Sequence, residues 1–180
     1  MKIPIPKLQA MIRFFASNTD SRLLGKKKLM KLFYFADFMH VKKYASPITY
    51  DNYVHLEHGP IPSTILNLIN AVENDNENAL LAESLMVEIK ENSLLKRVVP
   101  TRSFSENDLK YFTPSEFKIL QNVCERFNDK TGRYIEERSH EEAAWRLTNE
   151  LDDIPYTLAT KDPDCLTDEN EIRLALLVMN

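Results

Sequence analysis

A histidine with neighbouring glutamates is the first candidate for chemistry in this chain. His140 lies in Ser139-His140-Glu141-Glu142, which has half of a metallohydrolase signature, but position 144 is alanine instead of a second histidine. Catalytic zinc needs three converging ligands and an open fourth position. His58 or Asp37 would therefore have to complete the site from elsewhere in the fold. The spacing disfavours a metal centre, and we expect His140 to hydrogen-bond a neighbouring element.

Tyr34 and Asp37 form the second candidate pair. They lie three residues apart on one predicted helix, so they project one turn apart from adjoining faces. Asp37 stands between Ala36 and Phe38, and a carboxylate buried among apolar residues needs hydrogen-bond donors. We interpret Asp37 as a structural carboxylate, with a general base or a partner-facing carboxylate as the alternatives. No serine or cysteine has a recognisable nucleophile setting, so we predict no catalytic residue, no metal and no cofactor.

The lysines of the run Lys26-Lys27-Lys28-Leu29-Met30-Lys31 are the third candidate. A charge run on a helix is usually solvated. We therefore expect Lys27, Lys28 and Lys31 to form a solvated face or an electrostatic steering patch that contributes little to stability. The formal net charge of −4 argues against nucleic acid as a partner. With only three glycines, the chain also has no phosphate-binding loop.

Composition limits the class of protein that these residues belong to. Of 180 residues, 43% are apolar and 28% are charged, which excludes a disordered chain and a membrane protein. Cys124 and Cys165 stand apart without a C-x-x-C motif and predict reduced thiols in a cytoplasmic protein. No apolar run is long enough to span a bilayer.

Apolar periodicity predicts a compact, single-domain, mainly α fold with a small antiparallel β element, in the α+β class. A helix over residues 23–44 is apolar on two opposite faces, and we expect it to lie at the centre of the fold. Residues 49–58 are β-rich, and residues 85–90 and 94–99 predict a hairpin around Glu91-Asn92-Ser93.

Two capping boxes predict helix starts at Thr113 and at Ser139, with Glu116 and Glu142 three residues further on. We expect Ser139 to accept the backbone N–H of Glu142, and His140 to occupy the first helical position and turn toward the central helix. Trp145 should then be buried and donate its indole N–H to a carbonyl or a carboxylate.

Four motifs together resemble a known family, the Panacea domain of SocA-like antitoxins, which occurs in bacterial and phage-associated proteins. The resemblance runs over about residues 8–160, and the chain departs from it at Ala45, where a glycine often follows the tyrosine. The motifs are Lys31-Leu32-Phe33-Tyr34-Phe35-Ala36-Asp37-Phe38, Pro47-Ile48-Thr49 with Tyr53, His58-Gly59-Pro60-Ile61-Pro62, and Ser139-His140-Glu141-Glu142-Ala143-Ala144-Trp145 with Ile154-Pro155. The residues that carry the match, as structural or partner-binding groups, are Tyr34, Asp37, His58, Gly59, Pro60, Ser139, His140 and Trp145.

The resemblance implies the antitoxin of a type II toxin–antitoxin system, which neutralises a co-encoded toxin by direct protein–protein binding. It implies a domain over residues 1–160, followed by a C-terminal loop and helix of unknown role over 161–180. The expected partner is the cognate toxin, with a cellular protease as a second candidate and no membrane partner.

Two alternatives to the antitoxin remain at this point. One is a metal-dependent hydrolase or nuclease of phage origin that uses His58, His140 and Asp37. The other is a proteolytic adaptor that delivers a bound toxin to a protease, for which the acidic segment 162–171 would be a mobile tail.

Overall fold

The computed structural model describes residues 4–76, 79–89 and 95–178. The described helices are α1 (Ile5–Ser17), α2 (Lys26–Tyr44), α3 (Ser63–Glu73), α4 (Pro114–Phe127), α5 (Gly132–Glu141), α6 (Ala143–Arg146) and α7 (Glu169–Val178). The strands are β1 (Tyr53–Leu56), β2 (Gly59–Pro62), β3 (Leu85–Ile89), β4 (Lys96–Pro100) and β5 (Asp153–Ile154), and 3-10 turns cover Glu106–Tyr111 and Tyr156–Lys161. The predicted α+β class is confirmed. No helix in these ranges is long and apolar enough to cross a membrane.

Helix α2 is the centre of the fold, as its two apolar faces predicted. Residues 28–38 are all buried, and the helix packs against α4, α5, β2 and the second 3-10 turn. It begins at Lys26 rather than at residue 23, because Leu23 and Leu24 donate their N–H groups to the carbonyl of Asp20 in a turn. It ends at Ala45, which has a left-handed φ of 61°.

Two small antiparallel sheets accompany the helices. In the first, β1 lies between β2 and β5, with Tyr53 opposite both Pro62 and Ile154. The strand is shorter than the predicted 49–58. In the second, β3 and β4 pair from Leu85 opposite Pro100, so the predicted hairpin is confirmed. Its predicted turn at Glu91-Asn92-Ser93 lies outside the described residues.

The first capping box is confirmed at the start of α4. The side-chain oxygen of Thr113 accepts the N–H of Glu116 at 3.3 Å, and the Glu116 carboxylate accepts the N–H of Thr113 at 2.8 Å. Helix α3 is capped from a distance instead, because the carboxylate of Asp51 accepts the N–H groups of Thr64 at 3.1 Å and Ile65 at 2.8 Å.

The second capping box was predicted wrongly. Thr131 caps α5, so Ser139 and His140 lie in the last turns of a helix that is already formed. The hydroxyl of Ser139 donates to the carbonyl of Glu136 at 2.7 Å. The next helix, α6, starts at Ala143, whose N–H donates to the Asp162 carboxylate at 2.7 Å. A residue outside the local pattern thus provides the cap.

The segment after residue 161 packs on the C-terminal end of α2, whereas the adaptor alternative would use a mobile acidic tail there. The ammonium of Lys42 lies 2.5 Å from the Glu142 carboxylate, 3.1 Å from Asp162 and 3.0 Å from Asp164. The N–H of Leu166 donates to the carbonyl of Lys42 at 2.8 Å. These contacts join the segment to the central helix and to the start of α6.

Candidate functional site

The residues that match the four motifs fall into two clusters, and the first surrounds Asp37 at the centre of the fold. One oxygen of Asp37 accepts the backbone N–H groups of Ile48 and Thr49, both at 2.8 Å. The other oxygen accepts the hydroxyls of Thr49, Tyr53 (2.8 Å) and Tyr156 (3.3 Å). We call Asp37, Thr49, Tyr53 and Tyr156 the Asp37 hub. It ties α2 to the chain that precedes β1 and to the second 3-10 turn.

Burial and hydrogen bonding act in opposite directions on the Asp37 carboxyl. Burial raises its pKa from the ordinary value of 3.8 to about 6, while the donors on Thr49, Tyr53 and Ile48 limit the rise. Both oxygens are occupied by internal donors and the residue has no exposed surface. These contacts support the structural interpretation of Asp37, because no oxygen is left for a substrate or a metal ion.

Tyr34 packs beside the hub through its ring. Its ring centroid lies 5.6 Å from that of Tyr53 and 4.4 Å from that of Phe38. Its hydroxyl is buried and has no hydrogen-bond partner among the described residues. Burial raises the pKa of Tyr34 well above its ordinary value, so the side chain is neutral and serves as part of the core.

The second cluster is a stack of three rings, His55, Trp145 and His140. The ring centroids of His55 and Trp145 are 4.4 Å apart with 24° between the planes, and those of His140 and Trp145 are 3.9 Å apart with 15°. His55 comes from β1, His140 from the end of α5 and Trp145 from α6. We call these residues the Trp145 stack. A change in any one of the three elements therefore changes the position of the indole.

The turn between β1 and β2 fits against the stack through Gly59. This glycine has a φ of +90°, which side chains rarely tolerate. A Cβ there would lie 2.7 Å from the hydroxyl oxygen of Ser139, 3.0 Å from Nε2 of His140 and 3.0 Å from Cε of Lys31. The Lys31 ammonium in turn donates to the carbonyl of Pro60 at 2.8 Å. The motif at residues 58–60 is thus the surface on which the motif at residues 139–145 rests.

Lys27, Lys28 and Lys31 of the basic run were predicted to be solvated, and this is wrong for two of these three lysines. Lys27 is exposed, but Lys28 and Lys31 are only 1% and 2% exposed. Lys28 donates to the carbonyls of Asn128 at 3.1 Å and Lys130 at 2.6 Å. Burial lowers the pKa of Lys31 to about 7. Because α2 is covered on nearly every side, the stripe between its apolar faces meets protein carbonyls instead of water.

The Trp145 stack also differs from its prediction. Trp145 is half-buried, and its indole N–H, like Nε2 of His140, has no hydrogen-bond partner among the described residues. The prediction that the indole N–H donates to a carbonyl or a carboxylate is therefore wrong. His58 lies at the rim with about half of its side chain exposed, and its Nδ1 is 3.2 Å from the Glu136 carboxylate. The stack thus lies at the edge of the core, where His58 reaches solvent while the indole N–H and Nε2 of His140 are buried without a partner among the described residues.

Two exposed leucines near the stack were missed by sequence reasoning. Leu147, two residues after the tryptophan, is 58% exposed, and Leu151 is 74% exposed. Leu151 has a left-handed φ of 72°, and its N–H donates to the carbonyl of His55 at 2.8 Å. A leucine in this conformation is strained. No local pattern signals it, because the bond that holds it comes from β1.

The three residues named for the hydrolase alternative do not assemble into a metal site. In the described ranges, no group of three or more His, Cys, Asp or Glu side chains is placed to hold a metal ion. His140 faces Trp145 and the Gly59 turn, whereas Asp37 belongs to the hub. The set of His58, His140 and Asp37 is thus divided between the two clusters.

Residues 29–146 match the protein family described as "Antitoxin SocA-like, Panacea domain". The match covers more than half of the chain and includes both Asp37 and the whole Trp145 stack. The chain belongs to this family. The resemblance inferred from the four motifs is therefore confirmed. No curated protein and no solved structure matches the chain. The Panacea-domain match ends one residue after Trp145, so Tyr156 of the hub and the Asp162 cap lie outside it.

Proposed function

We propose that this protein is the antitoxin of a type II toxin–antitoxin pair and acts in the cytoplasm by binding its co-encoded toxin directly. Membership of the Panacea-domain family of SocA-like antitoxins carries the proposal. Neutralisation is steric: the bound antitoxin covers the active site of the toxin or holds the toxin in an inactive form.

The Trp145 stack and its rim form the toxin-facing surface in this proposal. Tryptophan is among the residues that most often dominate binding energy at interfaces, especially where polar atoms become desolvated on contact. Leu147 and Leu151 provide exposed apolar area beside Trp145, whose own indole N–H is buried. The left-handed backbone at Leu151 adds support, since strain of this kind concentrates at functional sites.

We propose binding rather than catalysis as the activity. Asp37 is the buried carboxylate that was considered as a general base, and both of its oxygens accept hydrogen bonds from donors within the protein. Burial lowers the pKa of His140, so its ring is neutral near pH 7 and stacks on the indole. The exposed apolar side chains of Leu147 and Leu151 beside the stack support recognition of a protein.

Co-expression with the protein encoded next to this gene tests the proposal. The neighbour alone should arrest growth, and this chain should restore growth and co-purify with the neighbour. Absence of both effects would refute the antitoxin role.

Two substitutions then locate the surface. Leu147→Asp and Leu151→Asn should each weaken the complex by about tenfold or more, the effect of losing an interface anchor. Asparagine tolerates a left-handed φ, so Leu151→Asn should unfold at a temperature no lower than the wild type. Leu177→Asn is the matched control, because Leu177 is 70% exposed on α7 and lies outside this surface. A similar loss of affinity in the control would remove the Trp145 surface from the proposal.

A further inference from the structure

A second surface feature is a cleft of about 480 Å³ between the start of α2, the start of β4 and the start of α5. Its walls do not include the rings of the Trp145 stack. Most of its polar lining is basic, and the lining residues used below are Leu23, Lys26, Lys27, Lys28, Lys96 and Arg133.

The positive charge in the cleft is only partly neutralised. Lys26 and Lys96 both pair with the single carboxylate of Glu73. Lys28 is held by backbone carbonyls alone, and burial lowers its pKa. Lys27 makes no hydrogen bond or ion pair with the part of the chain that the structure describes. Positive charge therefore remains, even though the whole chain carries a net charge of −4.

Among the described residues, the carboxylates near the cleft each have a partner other than Lys27. Glu136 is the acidic lining residue, and its oxygen is 3.2 Å from Nδ1 of His58. Arg133 pairs with Glu137 at 2.9 Å. Near Lys28, Asp20 pairs with Arg22 at 2.6 Å and Asp129 with Lys130 at 2.9 Å. None of these pairs supplies a carboxylate within contact distance of Lys27 or Lys28.

We infer that this cleft binds an acidic segment of a partner protein, with carboxylate side chains of the partner contacting Lys27 and Arg133. Charge complementarity carries the inference, and the first turns of α2 and α5, which contain no acidic residue, add to the positive potential. Leu23 and Leu95 supply the apolar walls, and none of the described residues that line the cleft is aromatic. Nucleic-acid bases would lack a stacking surface there, which favours a protein segment.

The inference deepens the proposed function and rests on it for one point only, that the natural partner is the toxin. Glu136 joins the cleft to the rim of the Trp145 surface through His58. One toxin molecule that contacts the stack with an apolar patch could therefore place an acidic loop in the cleft.

A fluorescein-labelled hexaglutamate peptide is the probe, and its binding is followed by fluorescence anisotropy at low and then increasing salt. The wild type should bind the peptide, with affinity falling as salt rises. Lys27→Glu combined with Arg133→Glu should weaken binding by about tenfold or more. Lys43→Glu combined with Lys110→Glu is the control, since both lysines are exposed elsewhere and the change in net charge is identical. Circular dichroism melts should coincide for all three proteins, and Lys27→Gln with Arg133→Gln replaces the reversal pair if it unfolds.

Three results would overturn the inference: no peptide binding by the wild type, an equal loss in the control, or tighter binding of an oligothymidylate with the same number of charges. The last result would assign the cleft to nucleic acid. The assay contains no toxin, so a negative peptide result would refute the cleft inference without contradicting a toxin complex that co-purifies. Conversely, the absence of a toxin complex would refute the antitoxin role without contradicting a positive peptide result.

Discussion

The Asp37 hub and the Trp145 stack both contain residues of the family motifs, yet Asp37 and Trp145 use their polar atoms in opposite ways. In the hub, both carboxylate oxygens accept internal hydrogen bonds, and the residue is fully buried. In the stack, the rings satisfy one another through their faces, while the indole N–H has no partner among the described residues. Residues that look equivalent in sequence thus divide into those that join elements through hydrogen bonds and those that pack through their ring faces at the edge of the core.

Asp37→Ala should give the largest effect, a loss of about 4 kcal/mol or more in the free energy of unfolding. The change leaves several buried donors without an acceptor, at about 1–3 kcal/mol each. Urea denaturation followed by circular dichroism measures the loss. If the variant does not fold, Tyr156→Phe removes one donor to Asp37 and to the Asp51 carbonyl and should cost about 1 kcal/mol. A loss below about 1 kcal/mol for Asp37→Ala would contradict the hub.

The second expected effect is a pH dependence of stability that comes from the Asp37 carboxyl of the hub. The pKa of Asp37 rises from 3.8 to about 6 on folding, so the folded state binds the proton more tightly. The resulting stabilisation is complete below about pH 4 and is lost as pH rises through about 6. Relative to Asp37→Asn, the wild type should lose about 2.5 kcal/mol between about pH 4 and pH 7. Other titrating groups are common to both proteins and cancel, so a flat difference would show that Asp37 does not titrate on folding.

Trp145→Ala should cost about 2 kcal/mol in stability, less than a fully buried tryptophan, because the side chain is half-buried. Trp145→Phe keeps a ring in the stack and removes an N–H that bonds no described residue, so its stability should stay within about 0.5 kcal/mol of the wild type. Both variants should bind the toxin more weakly. Equal destabilisation by the two variants would mean that the N–H has an internal acceptor, and the contrast with the hub would disappear.

Ser139→Ala should have the smallest effect, within about 0.5 kcal/mol, even though Ser139 is fully buried. Its hydroxyl donates to a carbonyl inside α5 and caps nothing. Thr113→Ala is the comparison, because Thr113 is a true cap and its loss should cost about 1 kcal/mol. Chemical denaturation of the two variants side by side compares their losses in the free energy of unfolding. A larger loss for Ser139→Ala than for Thr113→Ala would show that Ser139 acts as a cap.

The features that could be predicted from sequence are those decided by neighbours in the chain. The two apolar faces predicted the central position of α2, and Thr113 with Glu116 predicted the start of α4. Ala45 stands where the family motif often has a glycine. Its φ is 61°, a conformation that glycine adopts without strain.

The features that could not be predicted depend on partners far along the chain. The carbonyls that receive Lys28 belong to Asn128 and Lys130. The second ring that stacks on Trp145, in addition to His140, belongs to His55 on β1. Ser139 fits a capping pattern that is equally compatible with the end of a helix. In each case, the local pattern allowed two placements, and the tertiary contact selected one.

The long-range contacts of the hub also set an order of events during synthesis. Tyr156 reaches Asp37 across 119 residues, and Asp162 caps α6 from 19 residues downstream. Because a chain leaves the ribosome N-terminus first, α2 emerges long before the groups that complete its surroundings. Lys42 and the start of α6 receive the Asp162 carboxylate only after residue 162 has been made. A ribosome that stalls after residue 146 would release a chain with every family motif up to Trp145 but an unfinished core, a ready substrate for cellular proteases.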